Sequence, residues 1–299
     1  MTSSQDLLER LAARKLLVVT GKGGVGKTAL AAALGLLLAE RGRRVLVIEV
    51  DPRESLHQLL GTPPSGGEIL TAGLRLSVQN LKPRQVLDGI IEEQVRIRMV
   101  ARRILESPVY HQLAAGMPGL KELAVIHHAW ELVREGRHRR FDLVVLDAPA
   151  TGHGVTLLAA PRVTAEAIGS GPVARLAREL AGLVADPEQC GLVAVTLAEE
   201  MPVEEVLELR QDLLRRLDRE PELLLVNALY PPFPPGPPPS ASSSLRLWQQ
   251  RRAINEREVE RLAGAWAGPL WRLPLVPADR GPALVDALAE ALRQGGVES

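Results

Sequence analysis

Gly21, Gly26, Lys27 and Thr28 stand at the spacing G-x-x-x-x-G-K-[ST], inside the stretch Leu16 to Leu38 that reads LLVVTGKGGVGKTALAAALGLLL. An apolar run enters the loop and an apolar helical stretch leaves it, the strand-to-helix context that a phosphate-binding loop requires. Glycines at 21, 23, 24 and 26 permit positive φ and close backbone approach, so the N–H groups along the loop, from Lys22 and Val25 to Ala29, can point inward at phosphate oxygens. The helix that follows adds its N-terminal partial positive charge. Lys27 is expected along the β- and γ-phosphates of a nucleoside triphosphate, with the Thr28 hydroxyl in the shell of a Mg²⁺ ion. The alternative is a glycine-rich turn with incidental lysines, and the flanking strand and helix weigh against it.

Two carboxylates end apolar runs: Asp51 in RRVLVIEVDPRESL and Asp147 in FDLVVLDAPATGHG. A carboxylate just beyond a buried strand is held at the sheet edge from which the phosphate loop also emerges, so both can converge on the γ-phosphate. Asp147 follows four apolar residues and is expected to hold Mg²⁺ through water. Asp51 is then free to orient the attacking water beside the metal. For each, the plainer alternative is an N-cap on the helix that follows.

The elements that must position these groups are legible as runs. Leu16–Val19, Val45–Val50 and Leu143–Leu146 are continuously apolar, as parallel strands buried on both faces should be. Further strands are expected at 74–79, 192–197, 223–227 and 270–273, and helices at 4–14, 202–218, 245–263 and 282–293. Strand alternating with helix predicts an α/β, doubly wound, mainly parallel sheet with ligand at the carboxyl ends of its strands. Residues 83–135 exceed one crossover, and Val86, Ile90, Ile91, Val95 and Ile104 recur at roughly helical spacing. That stretch reads as a helical subdomain on a single domain spanning 1–299. It either packs on the core or offers a groove to a partner helix. PPFPPGPPP at 231–239, followed by serines, reads as a polyproline-like loop over 230–244.

Composition narrows the classes. The chain has 299 residues, 46% hydrophobic, with 36 basic and 36 acidic side chains, so no global basic field points to nucleic acid. The N-terminus MTSSQDLLER has no apolar core segment and does not read as a secretory signal. One cysteine, Cys190, excludes an internal disulfide and fits a reducing cytoplasm. His127 and His128 are sequence neighbours on different sides of a helix, so no metal pair is expected there.

Lys22, directly after the first glycine, makes GKGGVGKT similar to the deviant loop of the dimeric ATPases that include the Min and Par proteins, the nitrogenase iron protein and the arsenical-pump and tail-anchor-targeting ATPases. The resemblance implies ATP as substrate and a dimer, homodimeric or with a paralogue, in which Lys22 reaches the nucleotide of the other subunit. Asp147-Ala148-Pro149-Ala150-Thr151-Gly152-His153 resembles the second switch, D-T-A-P-T-G-H-T, of the arsenical-pump and tail-anchor group. Asp51-Pro52 with Leu56 resembles its first switch, D-P-A-H-N-L, and Pro118 to Glu122 a helix start of that group. Arg53, Glu54 and Ser55 replace A-H-N, and Ala148-Pro149-Ala150 replaces T-A-P. By the same resemblance Asn227 contacts adenine and Pro277 packs on the base. His153 either transmits nucleotide state or bonds at a helix start.

What the resemblance implies is a cytoplasmic, Mg²⁺-dependent ATPase switch that opens and closes its subunits and acts on a client or membrane-associated partner protein. Zinc, metalloid and iron–sulfur sites of such proteins need cysteines that Cys190 alone does not supply. The competing readings are a partitioning or positioning ATPase of the Par or Min type and a nucleotide-bound scaffold that hydrolyses weakly.

Overall fold

The computed structural model describes residues 4–50, 54–94, 98–117, 119–136, 139–149, 153–232 and 243–295. Asp51 to Arg53, Pro118, Ala150 to Gly152 and the proline-rich residues 233–242 lie outside the described residues, as does the side chain of His153.

The chain opens with α1 (Ser4–Ala13), β1 (Leu16–Gly21), the phosphate loop and α2 (Lys27–Glu40). β2 (Val45–Glu49), the short α3 (Leu56–Leu60) and a hairpin of β3 (Leu70–Gly73) and β4 (Leu76–Asn80) follow. Four helices come next: α4 (Pro83–Gln94), α5 (Arg98–Leu105), α6 (Pro108–Gly116) and α7 (Leu120–Val133). β5 (Leu143–Asp147), α8 (His153–Ile168), α9 (Pro172–Ala185) and β6 (Cys190–Leu197) begin the second half. It ends with α10 (Glu200–Leu217), β7 (Leu223–Leu229), α11 (Ser243–Ala265), β8 (Leu270–Pro274) and α12 (Pro282–Arg293).

Among the described residues the strands form one eight-stranded sheet in the order β3-β4-β2-β5-β1-β6-β7-β8. Every pair is parallel except the β3–β4 hairpin. β1, β2 and β5 are buried at every position because both faces are covered. Leu17 and Val19 of β1 pack with α1, α2 and α12, whereas Leu16 and Val18 pack with α7, α8 and α9. The sheet is therefore a layer between two helical cores, and its carboxyl edge is where buried strands release polar residues.

Three expectations change in detail. β1 runs beyond the apolar stretch Leu16–Val19 to Gly21, which pairs with Val195 of β6. The strand expected from residue 74 begins at Leu76, and β3, four residues of mixed exposure, is an edge strand that no apolar run announced. His127 and His128 line the same cavity, of about 340 Å³, between α4, α7 and β4. One step along a helix turns a side chain by about 100°, too little to send neighbours to opposite sides. Among the described residues no His, Cys, Asp and Glu cluster could hold a metal, and no helix is long and apolar enough to cross a membrane.

Candidate active site

The phosphate loop is shaped by its glycines. Gly21 (φ 150°), Gly24 (φ 83°) and Gly26 (φ 93°) lie where L side chains are strained. A Cβ at Gly21 would strike the Val195 carbonyl, and one at Gly26 the amide nitrogen of Asn227. Gly26 is also the N-cap of α2, with no side chain capping that helix, so its first-turn N–H groups border the loop. Lys22, Gly23 and Gly24 are exposed, whereas Val25 turns inward to the core. Lys27 is buried and its Nζ donates to the Lys22 carbonyl at 2.8 Å, laying the ammonium across the loop.

Asp147 ends β5 directly beside β1, where Val19 is its register partner. Its Oδ2 accepts a hydrogen bond from Thr28 Oγ1 at 2.6 Å, joining two residues 119 apart in sequence. A hydroxyl and a carboxylate converging at a helix start are the hard oxygen donors that a divalent cation takes. They border a cleft of about 520 Å³ whose other walls include Gly24, Gly26, Lys27, Ala29, Ser55 and Arg280. That volume suits a nucleotide-sized ligand.

Sequence reasoning missed Arg280, which lines the cleft, and three glutamates that hold its surroundings from outside. Glu49, last residue of β2, is 1% exposed, and its carboxylate accepts from Ser55 N (2.8 Å), Leu56 N (3.2 Å) and Asn80 Nδ2 (3.4 Å). It thereby anchors the chain on the far side of the segment that holds Asp51. Glu54 performs a similar task before α3, accepting from Ser65 N (2.8 Å) and Gly66 N (3.2 Å). Glu205 of α10 pairs with Lys22 Nζ at 2.6 Å, so in this conformation Lys22 is engaged within its own chain. Arg280 reaches the cleft from the loop between β8 and α12, which also carries the exposed Pro277. None of these has a motif to announce it; a buried-strand glutamate in VLVIE was the one available signal, for Glu49.

Asn227 lies in β7 behind the loop, where its Nδ2 donates to the Val25 carbonyl at 2.9 Å. The structure thus brings Lys27, Thr28, Asp147 and Asn227 together around one loop. Asp51, expected at the same edge, is outside the described residues.

With this geometry in view, the sequence comparisons are informative. Residues 14–178 match the model of the family described as anion-transporting ATPase. The chain belongs to that family. Relatives include ATPase BagA of Mycobacterium tuberculosis, 31% identical over 71% of this chain and 64% of its own length. ATPase ARSA1 of Chlamydomonas reinhardtii is 29% identical over 73% of this chain and 32% of its own. An arsenical pump-driving ATPase of Escherichia coli is 28% identical over 84% of this chain and 44% of its own. The chain therefore spans from a third to just under two thirds of these relatives' lengths. The matched region holds β1, the phosphate loop, Thr28 and Asp147, the same residues that converge on the cleft.

Proposed function

We propose that this chain is a dimeric ATPase switch, homodimeric or paired with a paralogue, in which Mg-ATP binding and hydrolysis open and close the subunits and act on a client or membrane-associated partner protein. The observation that carries the reading is the 2.6 Å contact between Thr28 and Asp147 at the mouth of a glycine loop that holds a buried lysine. Family membership supports it.

Lys27 exchanges the Lys22 carbonyl for phosphate oxygens, a stronger charge-assisted partner. The loop N–H groups and the start of α2 take the remaining phosphate charge. Thr28 and Asp147 would hold Mg²⁺, which would offset phosphate charge there. Asp51 orients a water in line with the γ-phosphorus, so that its oxygen bonds to phosphorus as the bridging bond to the β-phosphate breaks. Lys22 leaves Glu205 when two subunits close and stabilises the transferring group on the other subunit. Asn227 and Pro277 border the base. An arsenical-pump role like that in the relative's name is not part of the proposal, because the single thiol, Cys190, is buried and pushed up to about 12.

Release of inorganic phosphate from ATP, measured with Mg²⁺ and with a chelator, tests the reading. Turnover should require Mg²⁺. ATP bound tightly but never hydrolysed, with or without DNA or liposomes present, would replace the switch with a nucleotide-bound scaffold, the reading that Arg53 to Ser55 and Ala148 to Ala150 favour by departing from the family's switches.

A further inference from the structure

β4, β2 and β5 are adjacent and parallel, so their amino ends lie side by side, away from the nucleotide cleft. Six arginines gather there: Arg41, Arg43 and Arg44 before β2, Arg75 before β4, and Arg139 and Arg140 before β5. Among the described residues, Asp142 and Glu135 pair with members of this cluster. Asp142 is held by Arg44 at 2.8 Å and Arg139 at 3.2 Å, and Glu135 lies 3.9 Å from Arg139. The hydrogen bond from Arg44 keeps Asp142 well below the usual carboxylate range. Nearby Glu40 is taken up by Arg293 of α12.

Amid these charges the β3–β4 hairpin presents Leu74, which is 90% exposed. A single exposed leucine needs no explanation in itself. This one stands on an anchored tip. Arg75 adopts a left-handed backbone (φ 62°), a conformation that is uncommon for a residue with a Cβ. Its carbonyl accepts from Val45 N at 2.8 Å and its Nη1 donates to the Gly42 carbonyl at 2.9 Å, tying the tip to the turn between Arg41 and Arg43. The turn therefore fixes an apolar side chain outward at the sheet edge, on one side of the guanidinium cluster.

We propose that this end of the molecule docks on an anionic lipid bilayer surface, with Leu74 entering the boundary between headgroups and acyl chains and the arginines meeting lipid phosphates. Charge complementarity and the exposed leucine act together, as stable membrane attachment takes two signals. A nucleic-acid backbone would accept the arginines but offers nothing to Leu74. Phe141, the aromatic residue beside Arg140, is buried and gives no base a stacking surface. Docking by this end leaves the cleft at the opposite edge of the sheet accessible.

Sedimentation of the full chain with vesicles tests the proposal. One set is phosphatidylcholine alone, and the other contains about one third phosphatidylglycerol. The protein should sediment with the anionic vesicles only and be released at about 0.5 M salt. Leu74→Ser should weaken partition about tenfold without altering charge. Arg41→Glu and Arg140→Glu should each weaken it at least about fivefold. All three variants should keep wild-type ATP affinity and thermal midpoint. Equal binding to both vesicle types, binding to neither, or a Leu74→Ser variant indistinguishable from wild type would overturn the proposal. So would displacement from anionic vesicles by an equimolar duplex oligonucleotide, which would assign the arginines to nucleic acid instead.

Discussion

Lys27 is 7% exposed and holds its ammonium against a main-chain carbonyl, an arrangement that an arriving phosphate improves. Lys27→Ala should therefore abolish tight ATP binding and leave the thermal midpoint near wild type, as read by nucleotide titration and melting; retained affinity would contradict the loop's role. Thr28→Ala should spare much of the binding and remove the dependence on Mg²⁺. His128 gives a prediction in pH. Burial, with His127 beside it, pushes its imidazole down to about 4. Its Nε2 donates to Gln79 Oε1 at 2.9 Å, since the Gln79 amide nitrogen already donates to the Gly67 carbonyl. A histidine held neutral in the fold gains its proton first in the unfolded chain, near pH 6.5. Its contribution is thus complete above that pH and is lost as pH falls toward 4. Between about pH 7 and about pH 5 the loss is about 2 kcal/mol, and urea denaturation of His128→Leu at both pH values should show the difference shrink by that amount. Lys27, Thr28 and Asp147 were legible because loop spacing and strand endings are local. The Lys22–Glu205 pair was not, since nothing in sequence relates side chains 183 positions apart until β1 and β6 pair.

Among the elements, the continuous apolar runs gave away β1, β2 and β5, because a strand covered on both faces leaves no polar alternation. β3 escaped notice for the opposite reason: an edge strand reading LTAG buries little and needs only a hairpin partner. β2 also shows how an element serves the site beyond its own length. Glu49 at its end ties Ser55 and Leu56, so the entry to α3 is fixed to the sheet. Glu49→Ala leaves those N–H groups without their carboxylate in a buried setting. It should cost about 1–3 kcal/mol in chemical denaturation and slow ATP hydrolysis more than it weakens ATP binding. Unchanged stability would mean that the start of α3 is held by other contacts.

For the whole molecule, the sheet order sets two ends of different character. β1 sits between β5 and β6, so the phosphate loop emerges beside Asp147 on one side and beside Glu205 of α10 across β6. The parallel direction sends the arginine cluster and Leu74 to the other end. Fold class was readable from alternating runs, whereas the arginine cluster was not, because its members come from three connections and meet only when β4, β2 and β5 align. The proposed function requires Lys22 to act across a dimer, doing the work of an arginine finger, which contributes about 10³ to 10⁵ in rate. Lys22→Ala alone should keep ATP affinity within about tenfold and lose most hydrolysis. The most direct measurement is phosphate release by purified mixed dimers of one Lys22→Ala subunit and one Asp51→Asn subunit. If Lys22 acts in trans, one composite site carries both defects and the other carries neither, and activity should return toward roughly half of wild type. Mixed dimers as inactive as either parent, or a Lys22→Ala protein with wild-type turnover, would contradict it.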